Sequence, residues 1–416
     1  SDATLMMGTW RLVAALWMIL LCSCTDRQRL NPLDPEGAVA SDLALQALAG
    51  DQVVSLRWDC TRYTDVTGVR LLRREADDPE LPLTTAPLAR GITEFDDRQV
   101  RNGVTYEYAL ALQIEGEGER RLDPAVRATP GSEIVWAADR TSGLLWRVTA
   151  DGRTAWFAQG RFAAISGVAV DPVDRSCWVS DQYARGVARV STAGDLDFHR
   201  TPGREPALLA LDPESRRGWL VDRGRQEVCW WSLDRTTDTL ALSVADARFA
   251  EPVALAPAEG GCWIADRSAG RVLFWSPDGR RLSFENLDRP VALAAGSGQV
   301  WVLTAGGDRL LRLGPDGATE LTLPLTGGLA LAWEPASGRL FIQTESEVLA
   351  LGTDGALLAR WTGFAAGRSL ALSGRAGSVW VATANWLWKV SAGGETLARL
   401  GGFSGLLGVA VTASGS

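Results

Sequence analysis

One short element recurs seven times in the chain, and it constrains the fold more than any other feature. It consists of a small or aliphatic residue, an aromatic residue, two mostly apolar residues and, in four copies, an aspartate. Successive copies lie 38 to 44 residues apart, which is the period of β-propeller blades. The copies begin at Val135, Cys177, Gly218, Cys262, Val300, Leu340 and Val379.

A second element, in which an alanine lies between aliphatic residues, precedes most copies of the first. We interpret it as the innermost strand A of each blade, because blades converge on the axis and leave little room there. The aromatic element is then strand B, and a segment such as Val272–Trp275 is strand C. Asp-Gly pairs predict hairpins to the outermost strand D, and they occur at Asp151-Gly152, Asp278-Gly279, Asp316-Gly317 and Asp354-Gly355.

The two ends of the repeat region complement each other. The first strand B, at Val135, has no strand A before it, and the last strand A, Gly408–Val411, has no strand B after it. Together they complete one blade, which removes exposed sheet edges. The sequence therefore predicts a seven-bladed propeller over residues 131–416, closed by strand 408–411. Its repeats resemble the NHL type (Gly-Val-Ala-Val-Asp at Gly167–Asp171), a resemblance that implies architecture and only loosely function.

Residues 40–130 alternate in the β manner between turn-rich stretches, as in Val53–Trp58 and Val104–Leu112. This pattern is typical of a small antiparallel sandwich. Trp58 and the Tyr106-Glu107-Tyr108 segment resemble those of a fibronectin type III domain, in which they are packing residues. The predicted fold class is thus all-β, a fibronectin type III-like sandwich followed by the propeller.

The first 24 residues carry Arg11, the apolar run Leu12–Leu21 and Cys22-Ser23-Cys24. A run this short is typical of a signal peptide. Leu21–Cys24 resembles the lipobox of bacterial lipoproteins, which implies acylation of Cys24 and a membrane as partner; ordinary secretion is the alternative. Residues 25–39 are polar and contain two prolines, so we interpret them as a tether. The expected location is the cell envelope, outside the cytoplasm, and Thr25 resembles a signal for the outer membrane.

Composition limits the chemistry. A net charge of −8 argues against nucleic acid as a partner, because phosphate binding needs a concentrated basic surface. His199 is the single histidine and falls on a predicted outer strand, so neither a His-based metal cluster nor a triad is expected. Cys60, Cys177, Cys229 and Cys262 have no zinc spacing, and buried thiols are the default. We expect no cofactor and no metal.

Two groups of propeller enzymes share this predicted shape: gluconolactonase-like proteins, and virginiamycin B lyase, which also resembles the chain in repeat form. The former bind a cation through Glu, Asn and Asp, and Asn286 and Asn385 are the only asparagines in the repeat region. The latter relies on an inner histidine, which His199 does not match. We therefore expect no enzyme, and we keep an envelope lyase or lactonase-like enzyme as one alternative and an architectural part of an envelope assembly as another.

A binding face follows from topology, because the B–C and D–A loops of an antiparallel blade emerge on the same side. These loops are rich in arginine and aromatic residues, which favour protein interfaces, and arginine also favours carboxylates and phosphates. The predicted partner is a protein, peptide or glycan. The predicted contact residues are Arg140, Arg161, Phe162, Tyr183, Arg185, Arg223, Arg248, Phe249, Arg267, Arg289 and Arg368. The competing interpretation is that the phenylalanines fill gaps between blades and the arginines pair with acidic neighbours.

Overall fold

The structure is a computed structural model, and it describes residues 43–76, 78–157, 162–192, 194–234, 237–245, 247–296, 298–314, 318–334, 337–364, 367–373 and 378–412. Several predicted features lie outside the described residues. They are the signal segment 1–24 with Cys24, the tether 25–39, Arg161, the Asp316-Gly317 hairpin and the Arg368 side chain. The described residues form strands and no helix. Within them, no helical segment has the length and hydrophobicity needed to cross a membrane.

Two compact units make up the chain. Of the described residues, the first comprises 43–47 together with Ser55–Asp97 and Thr105–Arg127, and the second comprises Leu48–Val54, Arg98–Val104 and 128–412. The sequence placed a single boundary near residue 130. The structure instead groups the two short segments 48–54 and 98–104 with the second unit.

The strands before residue 130 form two antiparallel sheets. One has the order β1-β2-β6; the other has six strands, with β4-β3-β7-β8 in order, β5 paired to β3 and β9 paired to β7. The strands are β1 (Gln46–Gly50), β2 (Val53–Arg57), β3 (Val66–Glu75), β4 (Leu81–Pro82), β5 (Leu88–Ala89), β6 (Glu94–Asp97), β7 (Tyr106–Ile114), β8 (Gly118–Arg121) and β9 (Val126–Ala128).

A buried tyrosine links the first unit's strands. The Tyr108 hydroxyl donates a hydrogen bond of 3.0 Å to the Asp97 carboxylate, which also forms an ion pair of 2.9 Å with Arg73. Burial, followed by the neighbouring Asp97 charge, raises the pKa of Tyr108 far above its ordinary value. Trp58 is buried as well. These side chains therefore act in packing, as the sequence indicated.

Seven four-stranded antiparallel sheets follow in the described residues. The first contains β10 (Ile134–Asp139), β11 (Leu144–Val148), β12 (Ala155–Phe157) and, from the end of the chain, β37 (Leu406–Thr412). In each of the other six sheets the strands follow the chain in the order A to D. The second and third sheets contain β13 (Ile165–Val170), β14 (Cys177–Asp181), β15 (Gly186–Val190) and β16 (Leu196–Arg200), then β17 (Pro206–Asp212), β18 (Arg217–Asp222), β19 (Glu227–Ser232) and β20 (Ser243–Val244). The fourth and fifth contain β21 (Pro252–Ala258), β22 (Gly261–Asp266), β23 (Arg271–Trp275) and β24 (Arg281–Phe284), then β25 (Ala292–Gly296), β26 (Gln299–Thr304), β27 (Arg309–Leu313) and β28 (Thr319–Pro324). The sixth and seventh contain β29 (Gly328–Glu334), β30 (Arg339–Thr344), β31 (Glu347–Leu351) and β32 (Leu357–Thr362), then β33 (Gly367–Leu372), β34 (Val379–Thr383), β35 (Leu387–Val390) and β36 (Thr396–Leu400).

Strand A of each sheet contacts strand A of the next sheet, in the order β13, β17, β21, β25, β29 and β33. Strand β37 contacts both β33 and β13. The seven strands A thus form a closed ring, and the fold is propeller-like. At the seam, β37 pairs with β10 in antiparallel register from Ile134↔Thr412 to Asp139↔Leu406. The last strand of the chain therefore supplies the inner strand of the sheet that begins with residue 134.

The tryptophans of strand B fill the space between sheets. Large flat rings bury much apolar area at these tapering contacts, and six of them are buried: Trp136, Trp178, Trp219, Trp263, Trp301 and Trp380. On strand C and its flanks the burial of the tryptophans varies. Trp231 and Trp275 are buried, whereas Trp386 is 39% exposed.

A buried ion pair joins the two ends of the ring. Glu133, just before β10, lies 3.0 Å from the amino group of Lys389 on β35, and Lys389 also donates 2.7 Å to the carbonyl of Ala150. Trp380 Nε1 donates to the Glu133 carboxylate at 3.2 Å, and the Ser373 hydroxyl donates to its other oxygen. Lys389 is the only lysine in the chain, and it is used at this seam.

Substituting Lys389→Met tests the importance of this pair. The change leaves the Glu133 carboxylate buried without its cation, and such removal costs about 3–5 kcal/mol of unfolding free energy. We expect this loss in urea denaturation of the chain from residue 25, followed by tryptophan fluorescence. Glu133→Gln combined with Lys389→Met should recover most of it, because no charge stays buried. A Lys389→Met protein as stable as the parent would contradict the role assigned to the pair.

Candidate functional site

Buried aspartates end strand B in the first four sheets of the repeat, and each binds backbone amides. Asp181 accepts hydrogen bonds from the amides of Tyr183 and Ala184 in its own B–C loop. It also accepts from Ala163 and Ala164, which enter the same sheet before strand A. Asp139, Asp222 and Asp266 likewise bind the segment before strand A. These carboxylates are therefore bound to the chain's own backbone amides and do not form a free ring of ligands.

The same hydrogen bonds place the B–C and D–A loops on one face, which we call the loop face. Further backbone bonds join them, such as Arg223 N to Glu205 O at 3.0 Å and Arg267 N to Glu251 O at 2.9 Å. The positions that follow the aspartates are therefore held close to the positions that precede strand A.

Most of the predicted contact residues are exposed on the loop face. Tyr183 is 75% exposed. The side chains of four exposed arginines form no hydrogen bond or ion pair within the described part of the chain: Arg140, Arg185, Arg223 and Arg248. Two others have acidic partners, since Arg267 pairs with Glu251 and Arg289 lies 3.3 Å from Asp288.

The two predicted phenylalanines have a different place. Phe162 is only 8% and Phe249 only 6% exposed. Phe162 packs in a core with Trp136 and Ile165, and Phe249 packs with Trp219 and Ile264. Both fill gaps in the core because an apolar ring at a loop base gains more from burial than from exposure. The prediction that they contact a ligand is therefore wrong, because both rings lie in the core.

Two of the predicted arginines, Arg223 and Arg267, line a common cavity of about 390 Å³. It lies between the sheets β17–β20 and β21–β24, at the loop face. Its remaining lining was not predicted as functional, and it combines apolar and polar groups: Ala207, Leu208, Val221, Gln226, Ala250, Glu251, Pro252 and Val253. A larger cavity of about 600 Å³ lies among leucines of β27, β28, β31 and β32, and none of the predicted residues lines it.

A repeated β-bulge explains why apolar side chains reach this face. In six of the seven sheets the register between strands A and B shifts at the start of strand A. Such a bulge inserts an extra residue and re-aims its side chain. At the cavity the shifts fall between Pro206 and Leu209 and between Pro252 and Ala254, which includes Leu208 and Val253. The only sign of this arrangement in the sequence was the apolar residue, Leu208 or Val253, that precedes the alanine-containing segment of strand A.

The cavity's acidic residue is already neutralised. The Glu251 carboxylate accepts hydrogen bonds from Arg267, with Nε at 2.9 Å, and from the Ser268 hydroxyl at 2.5 Å. These bonds, chiefly that from Arg267, lower the pKa of Glu251 to about 2. Reciprocally, Glu251 raises the pKa of Arg267. The pair therefore stays ionised at any physiological pH.

Other groups with potential chemistry are committed to packing. His199 is buried on the outer strand β16, with Nδ1 2.7 Å from the carbonyl of Thr237 and its ring stacked on Trp178. Cys60, Cys177, Cys229 and Cys262 are free, buried thiols, and burial raises the pKa of each. The described residues contain no group of three or more side chains suited to a metal ion.

Comparison with known proteins identifies a fold and no family. No protein-family model and no curated protein matches the chain. A functionally unknown protein from Desulfotomaculum acetoxidans is 13% identical over 68% of this chain and 99% of its own, with a TM-score of 0.59. Virginiamycin B lyase from Staphylococcus aureus is 13% identical over 60% and 88%, with a TM-score of 0.51. A 6-phosphogluconolactonase-like protein from Bacteroides uniformis is 14% identical over 68% and 100%, with a TM-score of 0.54. This likeness shows a propeller-like fold alone.

The Glu251–Arg267 pair can be tested by titration. We expect the Glu251 carboxyl to titrate near pH 2 in the folded protein, followed by carbon NMR. Because this folded-state pKa is lower than the ordinary value of 4.5, the pair stabilises the fold above about pH 4.5 and loses that contribution as pH falls through about 2. The contribution is small, since solvent screens an exposed pair. In Arg267→Ala the pKa should return toward its ordinary value; a pKa near 4.5 in the parent would contradict the pairing.

Proposed function

We propose that the chain is a lipid-anchored protein of the bacterial cell envelope that presents a non-catalytic seven-bladed propeller for binding a protein, peptide or glycan. One observation carries the binding role. On a single face, two exposed arginines line a cavity together with apolar residues. Arg223 has no side-chain partner in the described part of the chain, and Arg267 pairs with Glu251. Arginine beside apolar surface is the composition of interaction hot spots.

The assignment of the repeat as seven NHL-like blades has its support in the seven four-stranded sheets and the ring of strands A. We assign residues 40–130 as a fibronectin type III-like spacer. Two antiparallel sheets and the buried Trp58 and Tyr108 support this assignment. A spacer of this kind would separate the propeller from its anchor.

The anchor rests on Leu21-Cys22-Ser23-Cys24. We expect Cys24→Ser to abolish incorporation of radiolabelled palmitate and to move the protein from the membrane to the soluble envelope fraction, because one thiol carries the lipid. Cys22→Ser is the matched control and should change neither, since Leu21 is a poor residue at the position before an acylated cysteine. Equal labelling of Cys24→Ser and the parent would exclude this anchor and favour ordinary secretion.

Ligand binding is tested by capture from solubilised envelope fractions with the chain from residue 25. We expect the combined change of Arg140, Arg223 and Arg267 to alanine to lose the captured partner, because charge-assisted contacts at an interface centre contribute most of the binding energy. The control changes Arg153 and Arg280 to alanine; both are exposed in C–D hairpins, on the opposite face. Retention of every partner by the loop-face variant would contradict the proposal.

The alternative function is an envelope lyase or lactonase-like enzyme. Its support is the structural likeness to a virginiamycin B lyase and to a 6-phosphogluconolactonase-like protein, at 13% and 14% identity. Against it, the single histidine is buried on an outer strand and bound to the Thr237 carbonyl. Opening of a cyclic depsipeptide or a sugar lactone by the purified chain, with divalent cations supplied, would favour this alternative. An architectural role would be favoured if the loop-face and opposite-face variants were incorporated equally well into an envelope assembly.

A further inference from the structure

The cavity between the sheets β17–β20 and β21–β24 is lined by equivalent positions of two repeats, which can be compared directly. In both sheets an arginine follows the aspartate of strand B, and a glutamate supplies the carbonyl that this arginine's backbone binds. The pairs are Arg223 with Glu205 and Arg267 with Glu251. The local backbone is therefore the same at both positions.

The side chains of the two pairs behave differently. Arg267 binds the carboxylate of Glu251, whereas the side chains of Arg223 and Glu205 make no hydrogen bond or ion pair within the described residues. Both arginines line the cavity. The cavity thus contains one neutralised ion pair and one guanidinium with its full donor capacity, so its lining carries a surplus of one positive charge.

That surplus selects the charge of a ligand. A carboxylate carries one negative charge and matches the planar guanidinium in a bidentate geometry. A phosphate monoester carries close to two charges at neutral pH, one more than the surplus of the lining. The charge balance therefore favours a monoanionic carboxylate.

The remaining lining selects what is attached to the carboxylate. Ala207, Leu208, Val221, Pro252 and Val253 form an apolar surface that gains from burial of an aliphatic group. Gln226 lines the same cavity, and its side-chain amide can both accept a hydrogen bond from a peptide N–H and donate one to a carboxylate. The C-terminal residue of a peptide with an aliphatic side chain presents all three groups together.

We infer that this cavity is a carboxylate-binding site for an aliphatic C-terminal residue, with Arg223 holding the carboxylate and Leu208 and Val253 contacting the side chain. The inference rests on the proposed binding function and names its ligand class. A free aliphatic acid shares the same chemistry except for the peptide N–H, which separates the two sources of the ligand.

The test measures binding of a fluorescein-labelled tetrapeptide that ends in leucine, by fluorescence polarisation with the chain from residue 25. We expect the free-acid peptide to bind at least about tenfold more tightly than its C-terminal amide, as a charge-assisted hydrogen bond contributes. Arg223→Ala should abolish this preference. Arg225→Ala, in the same loop but outside the cavity lining, should keep it. Val253→Thr, which conserves side-chain volume, should weaken leucine more than a C-terminal glycine.

Competition by unlabelled isocaproate identifies the source: displacement as effective as by the peptide favours a free aliphatic acid, and weaker displacement favours a peptide. Equal binding of acid and amide, or binding of neither, overturns the inference. So does a preference that persists in Arg223→Ala. None of these outcomes affects the capture experiment with the combined loop-face variant, so failure of the ligand class and failure of the binding function are distinguishable.

Discussion

The antiparallel pairing of β37 with β10 is the interaction on which the repeat region depends. Each sheet can form from neighbouring segments, but a ring exists only when the last strand A reaches the first strand B. The entropic cost of bringing distant residues together grows only slowly with chain length. The large separation of β10 and β37 in sequence therefore adds little to the free-energy cost of pairing them. The Glu133–Lys389 pair lies at the same seam and joins residues that no local interaction would bring together.

The closed ring positions the loops, and the buried aspartates hold them there. In the first three sheets an aspartate binds both the amides of its own B–C turn and the segment before strand A. In the fourth, Asp266 binds the segment before strand A and the Arg271 side chain. In the last three, threonine occupies the position; Thr344 binds Ser346 and Glu347, and Thr383 binds the carbonyl of Trp386, all within the B–C turn. The candidate cavity therefore lies in the half of the ring where loops from neighbouring strands are joined through a carboxylate.

Sequence periodicity was informative wherever burial forces a residue type to recur. Trp136 and its equivalents lie on strand B because each sheet needs a large ring at the same contact, and the aspartates recur because each turn has the same amides to satisfy. The cavity was not predictable in this way. Leu208 and Val253 reach it through a register shift, which alters a side chain's direction without altering composition.

Side-chain pairing was equally hidden. Phe162 and Arg140 both occur in loops rich in arginine and aromatic residues, yet one is in the core and the other in solvent. Similarly, Glu205 and Glu251 each precede strand A in the sheets that carry Arg223 and Arg267, and within the described residues only Glu251 pairs with its arginine. Such a choice depends on side-chain geometry, which residue type alone does not determine.

This last difference has a general consequence for a repeat fold. Repetition supplies the same backbone at every sheet, so a binding site cannot arise from the backbone alone; it requires one position to depart from its equivalents. At the cavity, Arg267 pairs with Glu251, whereas the side chains of Arg223 and Glu205 make no hydrogen bond or ion pair within the described residues. Because part of the charge of a paired arginine is already satisfied, an unpaired arginine gains more from an incoming anion. The two arginines of the cavity therefore differ in what they can offer a ligand, although their backbones are alike.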